Sequence, residues 1–305
     1  MILTVTLNTA LDITYRVRSL RPHASHRVSE VVERPGGKGV NVARVLAALG
    51  QEVTVTGFAG GATGRAVRDG LAGTPGLTDA LVPVAGATRR TIAVVDERSG
   101  DTTQLNEPGP QIEPAEWGAF LDRYEELLGG ASAVALCGSL PPGVPVGAYA
   151  NLVRPARAQG VPVLLDTSGE PLRRGVAARP DIIKPNADEL AELTGSHDPL
   201  RATQDARRRG AHAVVASLGT DGLLAVTPEG RWRAAPPARI PGNPTGAGDS
   251  AVAGLLSGLV EHLSWPDRLT RAVALSATTV RSPVAGEFDR AAYEKLLARV
   301  SVTVA

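Results

Sequence analysis

The apolar positions of this 305-residue chain fall into three rhythms. The first is the short β-branched run bounded by turn residues, at 2–7, 53–57, 133–137, 161–165, 182–184 and 213–217, which predicts strands buried on both faces. The second is a rough alternation of apolar and polar residues at 13–17, 26–33, 91–96 and 102–105, which predicts strands with one wet face. A turn at 97–101 joins the last two. The third is helical spacing, running from the glycine loop at 35–39 to a C′ residue at Gly50, then around 146–158 and at 187–193. After Asp249 the chain reads mainly helical. Strands and helices that alternate in this way predict an α/β fold, a doubly wound, mostly parallel sheet with helices on both faces. The half-wet strands, inserted at about 12–34 and 88–108, predict a small separate sheet. With no internal repeat or linker, residues 1–305 read as a single domain.

One stretch breaks the helical rule of one apolar face. Residues 251–260 are apolar on nearly every side, so this helix is expected inside a large core. Its entry, Pro241-Gly-Asn-Pro-Thr-Gly-Ala-Gly-Asp249, has no side chain large enough to keep a ligand off the backbone. The free amides of a helix start at Gly246, Ala247 and Gly248 form an anion site. Asp249 in the first turn can be a plain cap. A carboxylate beside a phosphate cradle repels it, however, and that conflict is resolved if Asp249 takes the proton of a hydroxyl attacking the phosphate.

Composition narrows the function classes. Lys plus Arg (32) nearly cancels Asp plus Glu (31), so no field draws the chain to nucleic acid or an anionic membrane. One cysteine, Cys137, leaves no disulfide framework and reads as a small buried residue in a reducing compartment. No signal peptide or membrane span is evident, and a cytoplasmic location is expected. The five histidines, at 23, 26, 197, 212 and 262, show no metal spacing. A P-loop, a clean dinucleotide fingerprint and a nucleophile elbow are all missing.

Several polar groups follow predicted strands, where open α/β sheets bind ligands. Lys184-Pro-Asn186-Ala-Asp-Glu189 opens a helix; locally Asn186 and Glu189 make a capping box, and beside a nucleotide they would hold water around Mg²⁺. Ser217-Leu-Gly219-Thr-Asp-Gly222 is either a hairpin turn or a phosphate and ribose contact. Lys38 is a turn lysine or a ligand group, with Asn41 and Asp12 suited to sugar hydroxyls. Ser139, in Gly138-Ser-Leu-Pro-Pro-Gly143, marks another close-approach turn. Arg89 could hold a phosphate ester bidentately.

Gly36-Gly-Lys-Gly-Val-Asn-Val-Ala-Arg44 and Asn243-Pro-Thr-Gly-Ala-Gly-Asp249-Ser resemble the two signatures of the PfkB (ribokinase-like) carbohydrate kinases. Thr4–Asp12, Asn106–Pro110, Gly138–Gly143 and Lys184–Glu189 follow in that family's order, over about residues 2–285. The closest branch by motif is 1-phosphofructokinase and tagatose-6-phosphate kinase. The resemblance implies a ribokinase-like fold whose small sheet is a lid, with homodimers formed through the lids. It implies ATP near Lys184, Asn186, Ser217, Gly219 and Gly222, with Mg²⁺ near Glu189. A sugar phosphate would lie near Asp12, Gly37, Lys38, Asn41, Arg89 and Ser139, with Asp249 as base and Gly246, Ala247 and Gly248 as the anion hole. Thr9 stands where many relatives have proline. Gln104 stands where 6-phosphofructokinases have a second phosphate-binding arginine, which favours fructose 1-phosphate over fructose 6-phosphate. Tagatose 6-phosphate is the nearest rival; a neutral sugar or nucleoside, or a non-catalytic sugar-phosphate sensor, are further alternatives.

Overall fold

A computed structural model describes residues 1–282 and 284–305. The chain enters through β1 (Ile2–Thr6), leaves for a small sheet in β2 (Ala10–Val17) and β3 (Glu30–Gly36), and returns by α1 (Lys38–Ala48) to β4 (Val53–Ala59). Helix α2 (Gly61–Ala72) and the short strands β5 (Leu77–Asp79) and β6 (Val82–Pro83) lead back to the small sheet in β7 (Arg89–Asp96) and β8 (Thr102–Asn106). The chain then winds through α3 (Pro114–Leu128), β9 (Ala133–Cys137), α4 (Ala148–Ala158), β10 (Val163–Asp166) and α5 (Gly169–Ala177). There follow β11 (Ile182–Ile183), α6 (Ala187–Thr194), α7 (Pro199–Arg208) and β12 (Ala213–Ser217). Last come β13 (Leu223–Val226), β14 (Arg231–Ala235), α8 (Ala247–Val260), α9 (Trp265–Thr279), α10 (Arg290–Leu297) and β15 (Ser301–Val304).

The large sheet has the order β15-β14-β13-β12-β11-β10-β9-β1-β4-β5, with β6 also on β4. It is parallel from β5 to β12 and antiparallel beyond. The expected doubly wound, mostly parallel sheet is therefore present. Its central strands are buried on both faces: in β12, Ala213 and Val215 face one core while Val214 and Ala216 face the other. Helices α1, α8 and α9 cover the first face; α3, α4, α6 and α7 cover the second. The four half-wet strands form a separate sheet, β3-β2-β7-β8, with β2 and β7 parallel at its centre.

One expectation about the pattern needs correction. Strand β3 begins at Glu30 rather than at 26, because His26 is held in a local turn where its ring takes the Arg21 amide at 3.1 Å. The C-terminal third is mainly helical as expected, in α8, α9 and α10, with β15 closing the sheet edge against β14. As expected, α8 is enclosed from Asp249 to Gly258. Its contact with α9 is close enough that a Cβ on Gly254 would lie 2.6 Å from Cα of Ala272.

Candidate active site

The strand order reverses between β1 and β9, and open α/β sheets receive their ligands outside that crevice. Because β1, β9, β10, β11 and β12 run parallel, their carboxyl ends deliver Asn8, Ser139, Asp166, Lys184 and Ser217 to one edge. The crevice is bridged directly, Asn8 Nδ2 donating to Ser139 Oγ at 3.1 Å and to the Pro108 carbonyl at 3.0 Å.

Helices α1 and α8 lie side by side on one face, and their first turns meet beyond the strand ends. Gly37, at φ 104°, caps α1 in a conformation that favours glycine, which starts the helix at Lys38. Gly39 lets it settle on β1, since a Cβ there would lie 2.3 Å from Thr6 Oγ1. Asn41 thereby reaches α8, and its Nδ2 donates to Asp249 Oδ2 at 2.9 Å across 208 residues of sequence. Asp249 is 6 % exposed. Burial pushes its pKa up to about 6, with Lys38 opposing the rise and Asp166 adding to it.

Asp166 was not among the residues expected from sequence, yet it sits at the centre of the charges. Its carboxylate lies 3.5 Å from Lys38 Nζ and 3.4 Å from Lys184 Nζ. Both its oxygens are buried without a hydrogen bond among the described residues. Asp166 is also the main cause that pushes the Lys38 ammonium pKa upward, with Asp249 and Glu189 adding to it. Lys184 in turn lies over the α8 turn, where a Cβ on Gly248 would be 3.5 Å from its Nζ.

The turn before α8 is formed as expected, with one change. The Ala247 amide is already used, donating to the Pro244 carbonyl at 3.1 Å. Among the described residues, the amides of Gly246, Gly248 and Asp249 have no partner, so the anion cradle keeps two of its three expected amides and gains that of Asp249. Gly246 is left-handed (φ 81°) and packs so closely that a Cβ would lie 2.7 Å from that of Ala285.

Asp12 lies on β2 opposite Arg34 of β3 and Thr91 of β7. It fits only because Gly36 has no side chain: a Cβ there would lie 2.1 Å from Cγ of Asp12. Burial raises the Asp12 pKa to about 6, against Arg89, Thr91 and Arg44. Arg89 spends Nε on the Asn8 carbonyl at 3.1 Å and Nη1 on that of Glu107 at 3.2 Å. A cleft of about 60 Å³ between the sheets is lined by Asp12, Arg34, Arg44, Thr91, Gln104 and Thr245, among others. Neither Asp249 nor its partner Asn41 is part of that lining. A larger groove, about 570 Å³, lies elsewhere, between Arg207 of α7 and the β13–β14 turn, and includes none of these groups. Converging charge, not volume, marks the site.

On the other side of Lys184, the capping box is present. Asn186 Oδ1 accepts from the Glu189 amide and Glu189 Oε2 from the Asn186 amide, each at 2.8 Å. Asn186 also bridges to Ser217, bringing the two expected nucleotide segments together. Gly219 (φ 60°) stands in open space, whereas a Cβ on Gly222 would lie 2.0 Å from the Ala234 carbonyl, giving that glycine a packing role against β14.

Residues 5–290 match the pfkB family carbohydrate kinase model. Phosphofructokinase-2 from Escherichia coli, in its tetrameric inhibited form, superposes with a TM-score of 0.90 at 31% identity, covering 97% of this chain and 98% of that one. A Thermotoga maritima protein described as a possible 1-phosphofructokinase also superposes at 0.90, with 28% identity over 100% and 99% of the two chains. By this match over nearly its whole length, and by the site its strand ends assemble, the chain belongs to the pfkB family of carbohydrate kinases and is an ATP-dependent sugar kinase.

Proposed function

We propose that the protein transfers the γ-phosphoryl group of ATP to a primary hydroxyl of a ketohexose monophosphate, with fructose 1-phosphate converted to fructose 1,6-bisphosphate as the preferred reaction. The observation that carries this is the buried Asp249 at the start of α8, oriented by Asn41 beside unpartnered amides and two ammonium groups. Phosphoryl transfer asks a protein mainly for positioning and charge neutralisation, and these groups offer both. Asp249 accepts the proton of the acceptor hydroxyl as its oxygen attacks phosphorus. The amides of Gly246 and Gly248, with Lys184, steady the charge on the moving phosphoryl. Lys38, Asn41, Gly37 and Asp12 position the sugar, and Arg89 and Ser139 stand toward its phosphate end. Lys184, Asn186, Ser217 and Gly219 line the nucleotide side.

Mg²⁺ suits this donor set, because Asp166 holds two buried oxygens with no hydrogen-bond partner among the described residues and the Glu189 carboxylate is near enough to add to the rise of the Lys38 pKa. Glu189 and Asn186 would hold the ion through water, and it would neutralise phosphate oxygens of the nucleotide.

The choice of substrate is supported by the cations around Asp12 and by Gln104, a neutral residue on the β8 wall that lies 3.5 Å from the Thr245 hydroxyl. Phosphofructokinase-2 from E. coli has been crystallised with fructose 6-phosphate, which makes that ester a direct rival together with tagatose 6-phosphate. A coupled ADP-release screen over fructose 1-phosphate, fructose 6-phosphate, tagatose 6-phosphate, ribose and fructose separates them. Turnover is expected to be greatest with fructose 1-phosphate. Turnover with a neutral sugar alone would refute the phosphate-ester assignment.

A further inference from the structure

The edge of the large sheet opposite the site carries a groove lined by none of the groups assigned above. Strand β12 runs from that edge to Ser217 on the nucleotide side, and its antiparallel partner β13 returns, so that Val226 pairs with Val214 near the far end. There α7 and the turn from β13 to β14 enclose about 570 Å³, a volume in the range of small-molecule sites. The walls are cationic: Arg207 and Arg208 stand on α7 and Arg231 on β14, and Glu229 is the one acid of the lining. Arg207 is fixed in place. Its Nε donates to the His212 carbonyl at 2.9 Å and its Nη1 to that of Thr227 at 3.1 Å, which leaves Nη2 without a partner among the described residues. The facing turn is equally set, since Thr227 Oγ1 accepts from the Glu229 and Gly230 amides at 3.1 and 3.3 Å. Trp232 packs against the core of the first face, and strand alternation therefore turns Arg231 to the α7 side.

Arginines in the last turn of a helix offset its dipole, and that accounts for Arg207 and Arg208 by themselves. Arg231 has no helix end to serve and no ion pair among the described residues, and Arg208 meets only Asp205, which lies outside the lining. Three guanidiniums against Asp205 and Glu229 leave a net positive charge, presented from two facing walls. We propose that this groove is a second anion site, binding a small ligand with two phosphate groups, one held from α7 by Arg207 and Arg208 and the other from β14 by Arg231. Guanidinium forks match phosphate oxygens bidentately, and cations on two walls match two phosphates better than one. Gln204 and Glu229 in the same lining offer partners for hydroxyl groups of such a ligand. The groove is separated from the active-site edge by the length of β12, so its occupancy does not depend on which sugar is phosphorylated.

Two-dimensional amide NMR of the full chain, titrated without Mg²⁺ with inorganic phosphate, inorganic pyrophosphate and fructose 1,6-bisphosphate, reads the groove and the active site separately. The Gly230 and Arg231 amides report the groove, and those of Gly246 and Gly248 report the turn before Asp249. At the groove amides, at least one of the two doubly phosphorylated probes is expected to bind about tenfold or more tightly than inorganic phosphate. Arg231→Glu should weaken that binding about 10- to 100-fold, the scale of a lost charge-assisted pair, and Arg208→Glu on the facing wall should act in the same direction. Arg98→Glu makes an equal charge change in the exposed turn of the small sheet and should alter the affinity less than about twofold. Groove amides that do not shift, affinity no greater than that of inorganic phosphate, or an equal loss in Arg98→Glu and Arg231→Glu each overturn the proposal. So does a response of these amides to an acidic peptide and to neither probe, which would make the groove a protein-docking surface. Should Arg231→Glu fail to fold, Arg208→Glu decides alone, and unchanged affinity in it counts against the site.

Discussion

In the proposed mechanism Asp249 combines two burdens, since a carboxylate that takes the proton is also kept where water does not help it stay charged. Its pKa of about 6, raised chiefly by burial, sets the pH dependence. The base acts only when ionised, so kcat is expected to fall tenfold per pH unit below about 6 and to level off above it. A flat profile from pH 5 to 8 would contradict the assignment. The same shift has a sign for stability. A folded-state pKa above the ordinary carboxylate value of 3.8 means that the folded protein binds the extra proton between about 3.8 and 6. This residue's contribution to stability therefore declines as pH rises through that window, and its cost is complete above about 6. Asp249→Asn should accordingly raise stability at pH 7.5 by about 1–3 kcal/mol, and the gain should vanish near pH 4, as read by thermal or urea unfolding. The Asn41 contact survives, because an Asn oxygen can still accept from Nδ2.

Among the elements, α8 carries the fold and the site together, since its glycines let it enter the core and its first turn holds Asp249. Gly254→Ala separates two opposed effects. Helix propensity would favour Ala by about 1 kcal/mol, but its Cβ would meet Ala272 Cα at 2.6 Å, and overpacking costs about 1–3 kcal/mol. The clash should win, giving a net loss of up to about 2 kcal/mol in unfolding experiments; a more stable variant would show that α8 and α9 can move apart. Much of this layout was legible in the sequence, because β-branched runs, half-wet alternation and an apolar-all-round helix each admit few placements. β9 and β12 have the boundaries their apolar runs predict. α3 and α7 escaped notice although each carries a proline near its start behind an acidic cap residue, Glu113 and Asp198. β14 escaped because a strand reading Arg-Trp-Arg, one in from the sheet edge, has no apolar run to find. Within the site, the glycine motifs gave Asp249, Lys38 and Asn41. Asp166 was not legible: it has no motif of its own, and its meaning comes only from the groups that tertiary packing sets against it.

For the molecule as a whole, the two-sheet plan leaves one exposed surface that bears on assembly. Among the exposed large hydrophobic side chains are Val31 and Leu105, 55% and 58% exposed, on β3 and β8 of the small sheet. They lie opposite Tyr15 and Ile92 in the strand register, on the face turned away from Asp12. Pairing of two small sheets would cover these residues, and we propose that the protein is a homodimer through this face. Sedimentation should find a dimer that Val31→Asp with Leu105→Asp converts to monomer; a wild-type monomer would contradict the pairing. The proposed mechanism leaves the transfer step to one carboxylate, Asp249, among groups that otherwise bind and position. Single-turnover phosphoryl transfer by Asp249→Asn, with saturating MgATP and fructose 1-phosphate, tests that division of labour most directly. The rate is expected to fall by about 10²–10⁴ while ATP binding and the folded structure persist. Transfer at the wild-type rate would contradict the role of Asp249 as the base.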